Sequence, residues 1–214
     1  MKPACDPEMD YKALVQQGYD TCAASYAKAR SSCPPTELGS LTSRLCAGAT
    51  VLDIGCGTGV PIAQELARKY RVTGVDISGE QIRRARLNVP EAAFVQSEIM
   101  TLELADSRFD AAVVFYTVFH LPREEHAGLF QRIHGWLNPG GYLLATLSQL
   151  DQAAYTEDDF FGVTMYWSNF GLDDYKRILT SLGFRVLETT IIGHGYGPGA
   201  SNERHPLVLA QREQ

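Results

Sequence analysis

Apolar and polar positions follow one rhythm before residue 50 and another after it. Residues 8–30 carry apolar side chains at intervals of three and four, which predicts an amphipathic helix. The positions near its apolar face are Leu14, Val15, Tyr19, Cys22, Ala23 and Tyr26. Ser and Pro residues at 31–35 interrupt the pattern, and residues 36–46 are predicted to form a second helix.

Short apolar strands and helices then alternate over about a hundred residues. The predicted strands are 50–54, 72–75, 93–96, 109–115 and 142–148, and the predicted helices between them are 60–69, 78–88 and 123–136. The strand at 109–115 is almost continuously apolar, as expected of a strand buried on both faces of a parallel sheet. The alternation therefore predicts an α/β fold with helices on both faces of the sheet.

The last third of the chain departs from this rhythm. An aromatic-rich insert at residues 150–171 precedes a predicted helix at 173–182. Strands are predicted at 185–192 and 207–211, and the stretch between them has no helical pattern. We therefore expect these two strands to pair as an antiparallel hairpin with a long loop.

Length and charge limit the possible partners. With 214 residues we expect a single domain, built from a helical cap (1–46), a core (47–148) and an insert with a C-terminal strand pair (149–214). The formal net charge of −6 argues against nucleic acid or an anionic membrane, which a basic face would bind. A bilayer-spanning apolar run and an apolar signal core are both missing, so a cytoplasmic location is expected.

A glycine-rich turn follows the first predicted strand. Residues 51–59 read Val-Leu-Asp-Ile-Gly-Cys-Gly-Thr-Gly, and glycines between a strand and a helix let a ligand approach the backbone. The spacing of Gly55, Gly57 and Gly59 differs from the G-x-G-x-x-G of nicotinamide dinucleotide sites. Asp53 would repel a pyrophosphate but suits a cationic group. A ligand with an amino-acid end and a sulfonium therefore fits the charge better than a dinucleotide.

A second acidic residue, Asp76, ends the next predicted strand. A carboxylate at this position can accept hydrogen bonds from both hydroxyls of a ribose. The alternative is a local role at the start of the following helix, near Ser78.

Four segments, residues 51–59, 74–78, 109–115 and 137–143, together resemble the class I S-adenosylmethionine-dependent methyltransferase family. Their order and spacing agree with the family from about residue 45 to 148. The resemblance implies a doubly wound, mostly parallel seven-stranded sheet with an antiparallel last strand. It also implies S-adenosylmethionine as cofactor, S-adenosylhomocysteine as product and a small organic molecule as methyl acceptor.

The resemblance also implies a set of cofactor-binding residues. They are Asp53, Gly55, Cys56, Gly57, Asp76, Ile77, Glu98, Ile99 and Phe115. Asp53 and the glycines would line the methionine end, Asp76 would hold the ribose, and Ile77 would pack on the adenine. Glu98 stands where the family usually carries an aspartate that accepts a hydrogen bond from the adenine amino group. Phe115 and Tyr116 would border the transferred methyl.

Candidate acceptor-binding residues lie on the first helix and in the aromatic insert. Tyr11 and Tyr19 are expected to form a lid over cofactor and substrate, with Tyr19 against the cofactor. The insert is expected to supply a wall that binds flat organic molecules. Its members include Met165, Tyr166 and Trp167, with Tyr155, Phe160, Phe161 and Phe170 beside them. The alternative is that these side chains only pack the insert onto the sheet.

A general base is needed only if the attacking atom must lose a proton, since alignment and desolvation can carry methyl transfer. His120 and His194 are candidate bases, and His205 is a third; contacts within loops are the alternative for each. Phe115 offers no oxygen ligand, so no metal is expected. The run Phe-Tyr-Thr-Val at 115–118 lacks the Asn/Asp-Pro-Pro-Tyr/Phe turn of enzymes that methylate the amino groups of bases and glutamine.

Two other functions stay open at this point. One is a protein that binds S-adenosylmethionine without transferring its methyl, such as a regulatory subunit. The other is a nicotinamide-dependent oxidoreductase. An oxygen or nitrogen nucleophile is expected, but the sequence leaves open the identity of the acceptor, the choice between oxygen, nitrogen, sulfur and carbon as the attacking atom, and the oligomeric state.

Overall fold

The computed structural model describes residues 10–30, 36–106, 108–193 and 204–213. The helices are α1 (Tyr11–Arg30), α2 (Gly39–Thr42), α3 (Ile62–Ala67), α4 (Gly79–Asn88), α5 (Arg123–Trp136) and α6 (Leu172–Ser181). The strands are β1 (Thr50–Ile54), β2 (Arg71–Asp76), β3 (Ala93–Gln96), β4 (Phe109–Val114), β5 (Leu137–Thr146), β6 (Gln152–Phe160), β7 (Val163–Asn169), β8 (Phe184–Gly193) and β9 (Arg204–Arg212). Short 3₁₀ turns cover Thr36–Leu38 and Val118–His120.

Seven strands form one sheet in the order β3-β2-β1-β4-β5-β9-β8. The strands from β3 to β5 pair in parallel, whereas β9 runs antiparallel to both β5 and β8. The predicted mostly parallel sheet with an antiparallel last strand is confirmed. The strand order reverses beside β1, and ligands of open α/β sheets bind at such a switch point, outside the carboxyl ends of the strands.

Buried side chains fill both faces of the sheet, because successive residues of a strand point to opposite sides. Val51 belongs to a cluster with Leu41, Leu66 and Ile82 from the helices of one face. Leu52 belongs to a second cluster with side chains of α5 and α6 on the other face, namely Leu129, Phe130, Ile133, Tyr175 and Leu179. The alternation along β1 thus ties the sheet to both helical layers.

The aromatic insert forms a β-hairpin, an element that its sequence pattern does not predict. Strands β6 and β7 pair antiparallel as a separate two-stranded sheet. Phe161 and Gly162, between them, have φ angles of 52° and 82°. Positive φ at both central residues is what a type I′ turn requires, and this turn suits the twist of a hairpin. The usual Asn or Asp at the first position is missing, so the turn is hard to recognise from sequence.

Two predicted elements differ from the structure. The helix predicted at 36–46 is a 3₁₀ turn followed by the single-turn helix α2. The backbone N–H of Arg44 bonds the carbonyl of Leu41 instead of that of Ser40, which the side chains of Ser43 and Arg44 contact. The strand predicted at 142–148 begins earlier, at Leu137, which pairs with Phe109. Residues 138–141 then interrupt the pairing before it resumes at Tyr142.

Helix α1 lies across the hairpin and against α4. A Cβ on Gly18 would stand 2.9 Å from Met165 Cε, so this glycine lets the helix approach β7 closely. The ring of Tyr11 stacks on that of Tyr166, with centroids 4.2 Å apart. The N-terminal helix is therefore fixed over the carboxyl ends of the central strands.

Candidate active site

The glycine turn after β1 has the backbone geometry that its sequence predicts. Gly55 and Gly57 have φ angles of 69° and 53°, a region that side chains with a Cβ rarely adopt. A Cβ on Gly55 would lie 2.0 Å from Thr117 Oγ1. A Cβ on Gly57 would have only Gln81 Oε1 nearby, at 3.9 Å, and would enter open space. Gly55 thus permits backbone packing, whereas Gly57 keeps a space free beside the turn.

Asp76 connects this turn to the start of α4. Its carboxylate accepts hydrogen bonds from the N–H groups of Gly57 and Ser78, both at 2.9 Å. Ser78 caps α4 by accepting from the N–H of Gln81, at 3.1 Å. The Ser78 hydroxyl in turn donates to Asp20 of α1, at 2.6 Å. Helix α1 and the loop beside Asp76 are therefore joined directly.

Two buried carboxyl groups give this end of the site an acidic character. Burial raises the pKa of Asp53 to about 7, and the charge of Asp76 adds to the effect. Burial also raises the pKa of Asp76 to about 6, against the lowering effect of its backbone hydrogen bonds. Oδ2 of Asp53 is buried without a hydrogen-bond partner among the described residues. A cation close by would favour the ionised form of both groups.

A first cavity, of about 710 Å³ and partly open to solvent, lies above the carboxyl ends of β1, β2 and β4. Its walls include the glycine turn, Asp76 and the loop after β3. The lining residues are Lys12, Val15, Tyr19, Tyr26, Ile54, Gly55, Gly57, Val75, Asp76, Ile77, Gln81, Ser97, Glu98, Ile99, Phe115, Tyr116, Thr117, His120 and Leu121. The volume and the mixture of apolar walls with a few polar groups are typical of ligand sites.

Gln81 offers unused hydrogen-bonding groups to this cavity. Its side chain lines the cavity and is 1% exposed. Both Nε2 and Oε1 are buried without a partner among the described residues. Buried amide groups are normally satisfied, so a polar ligand in the first cavity would supply what is missing here. This observation fits a ribose or another polyhydroxyl group beside Asp76.

Glu98 lies where an adenine is expected, at the far end of the first cavity. Its Oε1 accepts a hydrogen bond from the N–H of Met100, at 2.9 Å. Lys12 of α1 forms ion pairs with Glu98 at 3.5 Å and with Glu125 at 2.7 Å. The carboxylate is thus held in place by its own loop and by helix α1.

A second cavity adjoins the first on the side of the hairpin and the start of β9. It encloses about 1200 Å³ including open solvent. The lining residues are Tyr19, Tyr26, Tyr116, Phe119, His120, Ser148, Gln149, Leu150, Gln152, Tyr155, Glu157, Phe160, Trp167, Asn169, Arg204 and His205. Tyr19, Tyr26, Tyr116 and His120 line both cavities, and we call these four residues the shared wall.

His120 is held by both of its ring nitrogens. Nδ1 lies 2.9 Å from the carbonyl oxygen of Tyr166, and Nε2 lies 2.8 Å from the hydroxyl of Tyr19. A carbonyl oxygen can only accept, so Nδ1 carries the proton and Nε2 accepts from the tyrosine. Burial lowers the pKa of His120 to about 4, and the imidazole is neutral at pH 7.

The structure brings most of the predicted site residues together. The first cavity includes the predicted residues Gly55, Gly57, Asp76, Ile77, Glu98, Ile99, Phe115, Tyr19, Tyr116 and His120. Trp167, Tyr155, Phe160 and His205 line the second cavity. His194 lies outside the described residues.

Seven predicted site residues do not line either cavity, and their roles stay predictions; they are Tyr11, Asp53, Cys56, Phe161, Met165, Tyr166 and Phe170. Met165 and Tyr166 are buried under α1 in a cluster with Tyr11 and line neither cavity. Cys56 turns its sulfur toward Gly74 in the core. Asp53, 1% exposed, sits behind the glycine turn and is not part of the lining of the first cavity.

Sequence analysis missed several residues that line the cavities. Gln81, Lys12, Ser97 and Thr117 belong to the first cavity, and Gln149, Gln152, Asn169 and Arg204 to the second. A glutamine in the first turn of the helix after Asp76 was the available signal for Gln81. The polar residues of the second cavity come from distant segments, and no local pattern connects them.

The described residues include neither a membrane-spanning helix nor a metal-binding cluster. No described helix is both long and apolar enough to cross a membrane. Within the same ranges, no cluster of three His, Cys, Asp or Glu side chains is arranged to hold a metal ion.

Known proteins are similar in sequence to the core of this chain. Residues 51–141 match the family model of a methyltransferase domain. An uncharacterized methyltransferase of Mycobacterium tuberculosis is 38% identical over 96 residues, which are 44% of this chain and 47% of that protein. An O-methyltransferase of Pyrenophora dematioidea is 30% identical over 154 residues, 66% of this chain and 56% of that protein. The chain thus spans about half the length of these curated relatives.

A solved structure shares the fold along the whole chain. It is the Burkholderia thailandensis 1,6-didemethyltoxoflavin-N1-methyltransferase with bound 1,6-didemethyltoxoflavin and S-adenosylhomocysteine. The TM-score is 0.76 at 20% identity, covering 100% of this chain and 93% of that chain. Sheet order and glycine turn define a Rossmann-like methyltransferase fold. Residues 51–141 are thus similar to a methyltransferase domain, and the whole chain shares the fold of this solved methyltransferase.

Proposed function

We propose that this protein transfers the methyl group of S-adenosylmethionine to a small organic acceptor. The observation that carries the proposal is the shared wall, which separates a cavity with an acidic end from an aromatic cavity. A protein that only binds the cofactor would have no use for the second cavity. A dinucleotide would bring its pyrophosphate toward Asp53, which disfavours the oxidoreductase alternative.

The first cavity suits the proposed cofactor in charge and in hydrogen bonding. Asp76 and Gln81 would hold the ribose hydroxyls, and Glu98 would accept from the adenine amino group. Ile77 and Ile99 would pack against the adenine ring. Asp53 would favour the cationic methionine end through its charge. When bound, S-adenosylmethionine supplies a methyl group on a sulfonium, so the protein's task is to align the acceptor and exclude water.

The aromatic side of the second cavity supports a small, flat acceptor. Phe119, Phe160 and Trp167 present ring faces and edges, which bind planar molecules through area and quadrupole contacts. Relatives named as O-methyltransferases and the structural neighbour that binds 1,6-didemethyltoxoflavin are in keeping with this class. We extend their small-molecule chemistry to this chain as part of the proposal.

Calorimetric titration tests the proposed cofactor directly. S-adenosylmethionine, S-adenosylhomocysteine and NADPH are each titrated into the wild type, the Asp76→Ala variant and an Asp173→Ala control. Asp173 is exposed on α6, away from both cavities. We expect both S-adenosyl compounds to bind the wild type and the control. The Asp76→Ala variant should bind them about 10²-fold or more weakly, because the charge-assisted hydrogen bonds to the ribose are lost. Binding of NADPH alone, or unchanged affinity in Asp76→Ala, would contradict the proposal.

A further inference from the structure

Tyr19 and His120 form a hydrogen-bonded chain at the shared wall. The Tyr19 hydroxyl donates to Nε2 of His120, at 2.8 Å, because Nδ1 already carries the proton donated to the carbonyl of Tyr166. The two residues lie 101 positions apart in sequence, and both line both cavities. This chain therefore runs from the methyl-transfer region to a buried imidazole.

An acceptor in the second cavity reaches the imidazole only through Tyr19 in this arrangement, because both ring nitrogens of His120 have partners. A phenolic oxygen that donates one hydrogen bond can also accept another. The Tyr19 oxygen can thus accept from a hydroxyl of the acceptor while its own proton points to Nε2. Burial keeps the pKa of His120 low, and the imidazole is ready to accept a proton at neutral pH.

We propose that Tyr19 is a catalytic residue that relays the proton of an aromatic hydroxyl acceptor to His120, which stands behind it. This inference rests on the proposed function, and it specifies the acceptor as a flat hydroxyarene. It also gives His120 a role that acts through Tyr19 rather than by direct contact with the acceptor.

The proton relay accounts for every bond, proton and charge that changes during the methyl transfer. As the acceptor oxygen bonds to the methyl carbon, the carbon–sulfur bond breaks and its electron pair stays on sulfur. The acceptor proton passes to the Tyr19 oxygen, the Tyr19 proton passes to Nε2, and His120 becomes an imidazolium that still donates from Nδ1. One positive charge is thereby moved from the sulfonium to the imidazole. An oxygen that has gained a methyl group is very acidic while its proton remains, so a base with a low pKa is sufficient.

The walls of the second cavity favour an aromatic acceptor. The ring centroid of Trp167 lies 4.4 Å from that of His120, 5.3 Å from that of Phe119 and 5.3 Å from that of Phe160. These rings form a continuous aromatic surface next to the relay. Nε1 of Trp167 is buried without a partner among the described residues. An oxygen-bearing aromatic ligand would satisfy this donor and cover the rings.

Other ionisable groups border the same space. Lys12, Asp76, Glu98 and Tyr26 face the first cavity, and Glu157, Tyr155, Arg204, His205, Tyr26 and Tyr116 face the second. The only described carboxylate on the second cavity is Glu157, on the hairpin. A Glu157→Gln variant therefore distinguishes the relay from a carboxylate base in the following experiment.

The experiment measures release of S-adenosylhomocysteine with a panel of hydroxynaphthalenes and matched aminonaphthalenes. We compare the wild type with Tyr19→Phe, Glu157→Gln and the control Tyr175→Phe, which removes a hydroxyl in the core. Below the pKa of the hydroxynaphthalene, Tyr19→Phe should be slower by about 10²-fold or more. The deficit should shrink about tenfold per pH unit as the acceptor ionises and needs no relay. Tyr175→Phe should stay within about threefold of the wild type, and Glu157→Gln, in the wall of the second cavity, should lose far less activity than Tyr19→Phe.

Two measurements that do not depend on activity accompany the assay. The ¹⁵N NMR shifts of His120 should show a proton on Nδ1 and none on Nε2 from pH 6 to 8. Calorimetry should give Tyr19→Phe an affinity for S-adenosylmethionine within about threefold of the wild type, because the ring remains. Failure of the wild type to bind S-adenosylmethionine in this titration would refute the proposed function itself.

The remaining outcomes refute the relay. With cofactor binding intact, failure to methylate any hydroxynaphthalene, or methylation of the aminonaphthalenes alone, overturns the acceptor class. Wild-type turnover by Tyr19→Phe at neutral pH, or a deficit that persists after the acceptor has ionised, overturns the role of Tyr19. A large loss of turnover in Glu157→Gln with none in Tyr19→Phe would assign the base to the hairpin carboxylate. A proton on Nε2 of His120 in the NMR spectra would exclude His120 as the group that receives the acceptor proton.

Discussion

Two histidine–tyrosine pairs in this molecule share their chemistry and differ in their position. His126 has Nε2 3.0 Å from the carbonyl oxygen of Leu121 and Nδ1 3.0 Å from the hydroxyl of Tyr175. His120 makes the same two kinds of contact with its nitrogens exchanged. Burial lowers the pKa of each imidazole to about 4. By local chemistry alone, the two pairs are equivalent.

Their surroundings distinguish them. His126 and Tyr175 are both 0% exposed and lie between α5 and α6, away from the two cavities. The Tyr175 oxygen also accepts from the N–H of Phe170, at 3.3 Å, so this network is closed within the core. Tyr19 and His120 border two cavities and connect α1 with the loop after β4. A lowered pKa therefore does not identify a functional histidine here, whereas access to both cavities does.

The largest difference that we expect between the pairs concerns stability. Tyr175→Ala should lower the free energy of unfolding by about 3–5 kcal/mol, because a fully buried ring leaves a cavity in the core. Tyr19→Ala should lower it by less than half as much, since this ring already borders open space. Urea denaturation of both variants measures the difference. Equal losses would show that Tyr19 is as much a core residue as Tyr175.

Low pH should reduce the free energy of unfolding through both histidines alike. The folded-state pKa of His126 is about 4 against 6.5 for an ordinary histidine, so the unfolded chain binds more protons between these values. The stabilising contribution is present above pH 6.5 and is lost as the pH falls toward 4, at about 1.4 kcal/mol per pH unit. His126→Gln and His120→Gln should each reduce this slope in urea denaturation. The raised pKa values of Asp53 and Asp76 act in the opposite sense in every variant and cancel in the comparison. An unchanged slope in either variant would refute a buried neutral imidazole at that position.

Removing only the hydroxyls should give a smaller separation. Tyr175→Phe leaves His126 Nδ1 and the N–H of Phe170 without a partner in the core, at a cost of about 1–3 kcal/mol. Tyr19→Phe should cost less than about 1 kcal/mol, because water in the cavity can replace the hydroxyl. Thermal unfolding of the two variants, matched in the atom removed, measures this difference. A larger loss for Tyr19→Phe would reverse the comparison.

The smallest expected effect is a change in the imidazole spectra on ligand binding. Saturation with S-adenosylhomocysteine should shift the ¹⁵N signals of His120, which lines the first cavity, and leave those of His126 in place. Histidine-selective ¹⁵N labelling makes both imidazoles visible in one NMR titration. Shifts confined to His126 would place the ligand on the wrong side of the sheet.

The sequence predicts the fold between β1 and β5 well, because each strand there is a short apolar run that ends in a turn or a helix. It also predicts the glycine turn and Asp76, where local spacing carries the chemistry. The hairpin escapes prediction because Phe161 and Gly162 do not look like a type I′ turn. The roles of Met165 and Tyr166 depend on α1 lying over β7, a long-range contact that the aromatic pattern does not reveal.

The Tyr19–His120 contact has the same origin. Each residue is visible in the sequence as a candidate, but their hydrogen bond joins positions 101 residues apart. Gln81 is similar, because its unsatisfied amide becomes apparent only when the burial of every neighbour is known. Local motifs thus locate the proposed cofactor end of the site, and tertiary packing determines the proposed acceptor end.

A crystal structure of the protein with S-adenosylhomocysteine tests the central claim most directly, because it locates the sulfur relative to the shared wall. We predict that the ribose lies against Asp76 and Gln81 and that the sulfur lies next to Tyr19 and Tyr116, facing the aromatic cavity. A ligand whose sulfur points away from this wall, or a first cavity that stays without ligand at saturating concentration, would contradict the account.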